Sequence, residues 1–161
     1  MIASTQKKQK QQTIKKEFSF SGIGLHSGIV SHVVVEPSKE NSGISFYRTD
    51  VKNKSNKIEA LWFNVSATNL STTISNKEKV SVSTIEHLMS SLSGMHVDNV
   101  NIYVDGPEIP IMDGSSKPFV ELIEKSGLEI QDEYRKVIKV DKEVEVKDED
   151  SFAKIIPFHH F

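Results

Sequence analysis

Between Ser83 and Val104 the hydrophobic period of the chain changes twice, and that change restricts the folds open to it. Ile85, Leu88, Met89 and Leu92 recur at i, i+3, i+4 and i+7, the stripe of one helical face. Ser83-Thr84-Ile85-Glu86 introduces the stripe in the S-x-x-E form of a capping box and Gly94 closes it, which predicts a helix over 83–94. From Val97 the period falls to two. Val100, Ile102 and Val104 share one side while Asn99, Asn101 and Tyr103 share the other, predicting a strand with its valine side inward and its asparagine side outward. One striped helix and one two-sided strand bury their apolar surface together only as stacked layers.

The rest of the chain supplies more of both elements. Strands are predicted over 14–20, 29–35, 43–47 and 137–146, with short ones over 60–65 and 71–75, and the stretch from Phe152 reads as the start of another. Gly24 and Gly28 punctuate a turn in GIGLHSG, and Glu36-Pro37 stops the second strand. A second helix starts at Ser116, carries Pro118 in its first turn and Phe119, Leu122 and Ile123 as its stripe, and ends at Gly127. Strands first and helices interspersed later give an α+β two-layer sandwich, mainly antiparallel, with two helices packed on one sheet face. The expected organisation is a flexible basic arm over 1–12, an α+β domain over 13–130, and over 131–161 the opening hairpin of an incomplete second domain.

Composition excludes several function classes. The 161 residues contain no cysteine, so disulfide scaffolds, thiolate metal sites and thiol catalysis are out. With 20 Lys+Arg against 22 Asp+Glu there is no overall field to draw in nucleic acid, and no apolar run is long enough for a transmembrane segment, which together suggest a cytoplasmic protein.

Candidate chemistry sits on the first helix. At 100° per residue His87 lies about 140° from Leu92, the middle of the stripe, with Ser83, Thr84 and Ser91 on or beside its side. A helix whose outer face has small residues around one histidine, in place of lysines and glutamates, suggests a surface reserved for something that packs on it. His87 is therefore expected to point away from the sheet with its imidazole exposed. Glu86 is open to two readings, a capping-box carboxylate bonded to the Ser83 amide or a functional acid; His87 is likewise either a ligand or an ordinary surface histidine. Asp113-Gly114 reads as a turn feeding the second helix.

The blocks STIEHL, GIGLHSG, RTD at 48–50, DNV at 98–100 and GPEIPIMDGSSKPF at 106–119 closely resemble the UDP-3-O-acyl-N-acetylglucosamine deacetylases of lipid A biosynthesis, in order and spacing, from about Phe18 to Pro157. The resemblance implies a zinc hydrolase of two similar α+β domains with the active site between their helix layers. It implies Glu86 as general base, His87 as a zinc ligand, and His26, Asn69 and Ser71 as residues adjacent to the substrate. It also implies partners: the UDP-3-O-acyl-N-acetylglucosamine substrate and a missing second domain, with no nucleic acid.

The departures shape the expected activity. The family draws its other zinc ligands from a downstream H-K-x-x-D element that this chain lacks, and Ser151 stands where the family often has a lysine. The zinc site is thus expected to be incomplete in this chain, which alone should be inactive. The alternative is a non-catalytic remnant or binding module of the same fold; an RNA-contacting domain is a weaker third option.

Overall fold

The computed structural model describes residues 9–158. In chain order it contains β1 (Lys10–Ile14), β2 (Phe18–Ile23), β3 (Val30–Pro37), β4 (Ile44–Arg48) and β5 (Lys57–Glu59). A 3-10 turn over Trp62–Asn64 leads to β6 (Val65–Ala67), β7 (Thr73–Ser75), β8 (Ser81–Val82) and α1 (Glu86–Gly94). Then follow β9 (Val100–Val104), α2 (Lys117–Ser126), β10 (Leu128–Tyr134), β11 (Val144–Asp148) and β12 (Ser151–Ile155).

The main sheet has the order β2-β3-β9-β4-β5, antiparallel except where β4 runs parallel to β9. Its register lines up the apolar residues. Phe20 faces Val33 and Val33 faces Val104, while Val35, Ile102, Phe46 and Ile58 form a second row. All seven are buried on one side. On the opposite side Tyr47 and Tyr103 stack with ring centroids 4.9 Å apart. Leu88 and Leu92 from α1 and Phe119 and Ile123 from α2 complete the same core, with the Phe119 ring edge-on to Phe20 at 5.2 Å. This is the expected α+β sandwich. Each of these side chains contributes about 1.5–3 kcal/mol by leaving water.

Several local expectations are corrected. The stretch 14–20 is two strands, because Lys15-Lys16-Glu17 is exposed and turns the chain between β1 and β2. Residues 10–12, expected in the arm, belong to β1, which pairs antiparallel with β10; residues 1–8 lie outside the described residues. Asn99, expected outward, is buried. Its Nδ2 donates to Gln11 Oε1 (2.8 Å) and Gln131 Oε1 (2.7 Å), and its Oδ1 accepts from the Gly43 amide, so it rivets the β1–β10 ribbon to the sheet. Over 60–65 the chain makes the 3-10 turn instead of one strand. Only the end of 137–146 is strand, and β11 pairs with β12 in an exposed hairpin turned by Glu149 at φ 48°. His159 and His160 lie outside the described residues.

Candidate active site at the first turn of α1

The chain enters α1 by a route that the capping box does not describe. Ser83 is drawn into a parallel bridge with Glu108: its amide donates to Pro107 O at 2.9 Å and its carbonyl accepts from Ile109 N at 3.1 Å. Thr84 then adopts φ 55°, and the helix starts only at Glu86. With the Ser83 amide already used, the expected Glu86–Ser83 bond does not form. Glu86 Oε2 instead accepts the Thr72 amide at 3.0 Å, from the loop before β7. That single bond orients the carboxylate and leaves Oε1 without a partner among the described residues.

His87 is half-buried on the next residue, neither packed into the core nor as open as the stripe geometry suggests. Among the described residues its ring has no hydrogen-bond partner. The outer face is smaller than expected: Thr84 and Ser91 are both buried, Ser91 because its hydroxyl donates to Leu88 O at 2.7 Å. Ser90 and Ser93 are the exposed serines of the helix.

The residue that sequence reasoning missed is Glu108. It is 1% exposed, yet its carboxylate accepts the His26 amide (3.1 Å), the Ser27 amide (2.7 Å) and the Thr84 hydroxyl (2.7 Å). Burial opposes its ionisation, but the bonds from Ser27, Thr84 and His26 outweigh that and hold its pKa down at about 2. Glu108 is therefore an anion at neutral pH that ties the Gly24–Gly28 turn to Thr84, two residues before α1. The available signal was a lone charged residue inside Pro-Glu-Ile-Pro, where no ordinary solvated glutamate is expected.

Of the sequence-derived candidates, Glu86 and His87 are adjacent at the start of α1, and Ser71 precedes Thr72, whose amide donates to Glu86. His26 is exposed, but its turn is fastened to α1 through Glu108. Asn69 lies exposed in the loop that carries Ser71. Glu86 also borders an open groove of about 490 Å³ walled by Leu61, Trp62, Val65, Ile74 and Met89.

One imidazole beside one carboxylate offers a single good position for a zinc ion, which in catalytic sites takes three protein ligands. Among the described residues no group of three or more His, Asp or Glu side chains could hold a metal, so they do not complete a zinc site by themselves. No helix is long and apolar enough to cross a membrane among those residues.

The family model for UDP-3-O-acyl N-acetylglycosamine deacetylase matches residues 11–161. The UDP-3-O-acyl-N-acetylglucosamine deacetylase of Citrifermentans bemidjiense is 46% identical over 151 residues, covering 94% of this chain and 49% of the relative. Proteins of the same name from Actinobacillus succinogenes and Vibrio parahaemolyticus are 43% and 41% identical, each covering 94% of this chain and 50% of the relative. The chain thus spans about half the length of the curated relatives it matches. On these grounds the chain belongs to the UDP-3-O-acyl N-acetylglycosamine deacetylase family.

Proposed function

We propose that this chain carries the general base and one metal ligand of a zinc-dependent deacetylase that removes the N-acetyl group from UDP-3-O-acyl-N-acetylglucosamine. The supporting observation is Glu86, with one oxygen held by Thr72 and the other open, beside His87, neither that oxygen nor the imidazole having a partner among the described residues. Glu86 Oε1 takes the proton of a water as that water attacks the acetamide carbonyl. The C–N bond then breaks, acetate leaves, and the proton held on Glu86 passes to the departing amine. His87 would hold zinc as one ligand, the others coming from outside the described residues. When bound, zinc supplies the Lewis-acid charge that makes water acidic near neutral pH.

The groove beside Glu86 has the apolar lining an acylated substrate needs, with Thr72, the neighbour of Ser71, in its wall. A second α+β unit packed over the exposed serines of α1 would close the site, and a nucleotide-linked substrate places the reaction in the cytoplasm as a step of lipid A synthesis. The test joins this chain to the C-terminal half of the Citrifermentans relative and follows acetate release. Release that stops on chelation, returns with zinc and disappears in His87→Ala is the expected result. Zinc-restored release that persists in His87→Ala contradicts the ligand role.

A further inference from the structure

One lobe of the surface, whose inner side walls the groove beside Glu86, combines exposed aromatic side chains with a long stretch free of charge. Residues 60–76 contain no charged side chain, although most of them are exposed. Within them Trp62 is 85% exposed, Phe63 62% and Leu70 90%. Trp62 and Phe63 brace each other edge-on with centroids 5.6 Å apart, so the pair projects as a unit. Large apolar side chains this exposed are costly to leave in water and mark a contact surface.

Its surroundings indicate what it contacts. From Arg48 to Val82 six Lys/Arg accompany three Asp/Glu, an excess of three positive charges on a chain whose net charge is −2. Two loops bearing these lysines are fastened together. Asn76 Nδ2 donates to Ser55 O (2.6 Å) and Lys57 O (3.0 Å), and the Ser55 amide donates to Glu78 Oε2 (3.0 Å). Lys52 and Lys54 therefore lie on the same end of the lobe as Lys77 and Lys79, all exposed. The antiparallel pairing of β6 with β7 brings the chain before Val65, with its aromatic pair, toward that same end. Trp rings favour the headgroup level of a bilayer, and lysines around them meet anionic lipid phosphates.

We propose that this lobe docks the protein peripherally on an anionic membrane surface, Trp62 and Phe63 entering the headgroup layer and Lys52, Lys54, Lys77 and Lys79 contacting lipid phosphates. The inference does not need the catalytic reading, although Trp62 also walls the groove beside Glu86. An apolar element combined with a basic one is what reversible membrane attachment requires, since either signal by itself binds marginally.

Trp62 is the only tryptophan, so its fluorescence reports directly on the lobe. The full 161-residue chain is titrated with phosphatidylglycerol/phosphatidylcholine vesicles, with pure phosphatidylcholine vesicles, with glycerol phosphate and with a single-stranded oligonucleotide. The expected result is a blue shift with the anionic vesicles only, reversed by high salt. By flotation, Lys54→Gln/Lys77→Gln/Lys79→Gln should partition on the order of a hundredfold less, and Trp62→Ser/Phe63→Ser should also be lost from the vesicle fraction. Circular dichroism checks that both variants remain folded, and a Lys15→Gln/Lys125→Gln control, altered elsewhere, should float like the parent. No shift with any vesicle, equal binding to neutral vesicles, or an equal shift with glycerol phosphate or oligonucleotide would overturn the proposal. So would a shift that depends on protein concentration without lipid, which assigns the lobe to a second copy. Loss of vesicle binding on adding a relative's C-terminal half would assign it to that half instead.

Discussion

Two glutamates lie within reach of the start of α1, and they are built for opposite tasks. Glu108 is buried and receives three donors from two separate segments, so its charge is locked and its position cannot change without breaking the turn at His26 and the entry to the helix. Glu86 is half-buried and receives one backbone amide, which fixes its direction and leaves an oxygen open. A carboxylate with a pKa of about 2 is useless as a base near neutrality, because it holds a proton too weakly. Thus heavy partnering marks the glutamate that ties the segments together, and sparse partnering leaves the other with the open oxygen that the proposed proton transfer needs.

Substitutions can break this contrast, beginning with the largest effect. Glu108→Ala leaves the Thr84 hydroxyl and the His26 and Ser27 amides without their acceptor, and should destabilise the fold by about 3–5 kcal/mol as read by urea unfolding. Loss of less than about 1 kcal/mol would mean that the network is relaxed by water.

Glu108→Gln keeps the shape but removes the charge, and it should change the acid limb of stability. The native pKa of Glu108 lies below its ordinary value of 4.5, so its contribution is present above about pH 5 and is lost as pH falls toward about 2. From the shift, that contribution is about 3 kcal/mol. The parent should therefore lose stability faster than Glu108→Gln through this window, with Asp50 and Asp113, also lowered, contributing alike to both proteins. Parallel curves would remove Glu108 from the acid response.

Thr84→Val tests one arm of the network alone. It removes the hydroxyl that reaches Glu108 at 2.7 Å and keeps the branched side chain at φ 55°, so about 1–2 kcal/mol should be lost. The smallest effect belongs to Glu86→Gln, whose amide oxygen can still accept from Thr72. Unfolding should shift by no more than about 0.5 kcal/mol, and a large shift would make Glu86 a structural residue like Glu108.

What the sequence revealed follows the same division between local and distant causes. The stripe of α1, the alternation of β9 and the stripe of α2 are local patterns, and each appears where its period places it. The capping box failed because Ser83 pairs with Pro107 and Ile109, and Glu86 with Thr72, all contacts made by chain folding back from elsewhere. β10 was missed because its residues are largely exposed in a two-stranded ribbon with β1, where no buried face imposes alternation. Glu86 and His87 stood out on the helix and took their roles from motif resemblance, which alone supplied His26, Asn69 and Ser71, whereas Glu108 emerged only when its three donors were seen together.

The most direct measurement mixes this chain with the separately produced C-terminal half of the Citrifermentans relative, adds zinc, and follows acetate release from UDP-3-O-acyl-N-acetylglucosamine. The chain alone should release none, and the mixture should release acetate. Glu86→Gln should lower that rate by about 10²–10⁴-fold without impairing association of the halves. Glu108→Gln should retain most of the rate below its own melting temperature. Acetate released by the isolated chain, full activity in Glu86→Gln, or no activity from halves that associate would contradict the assignment of Glu86 as the working carboxylate.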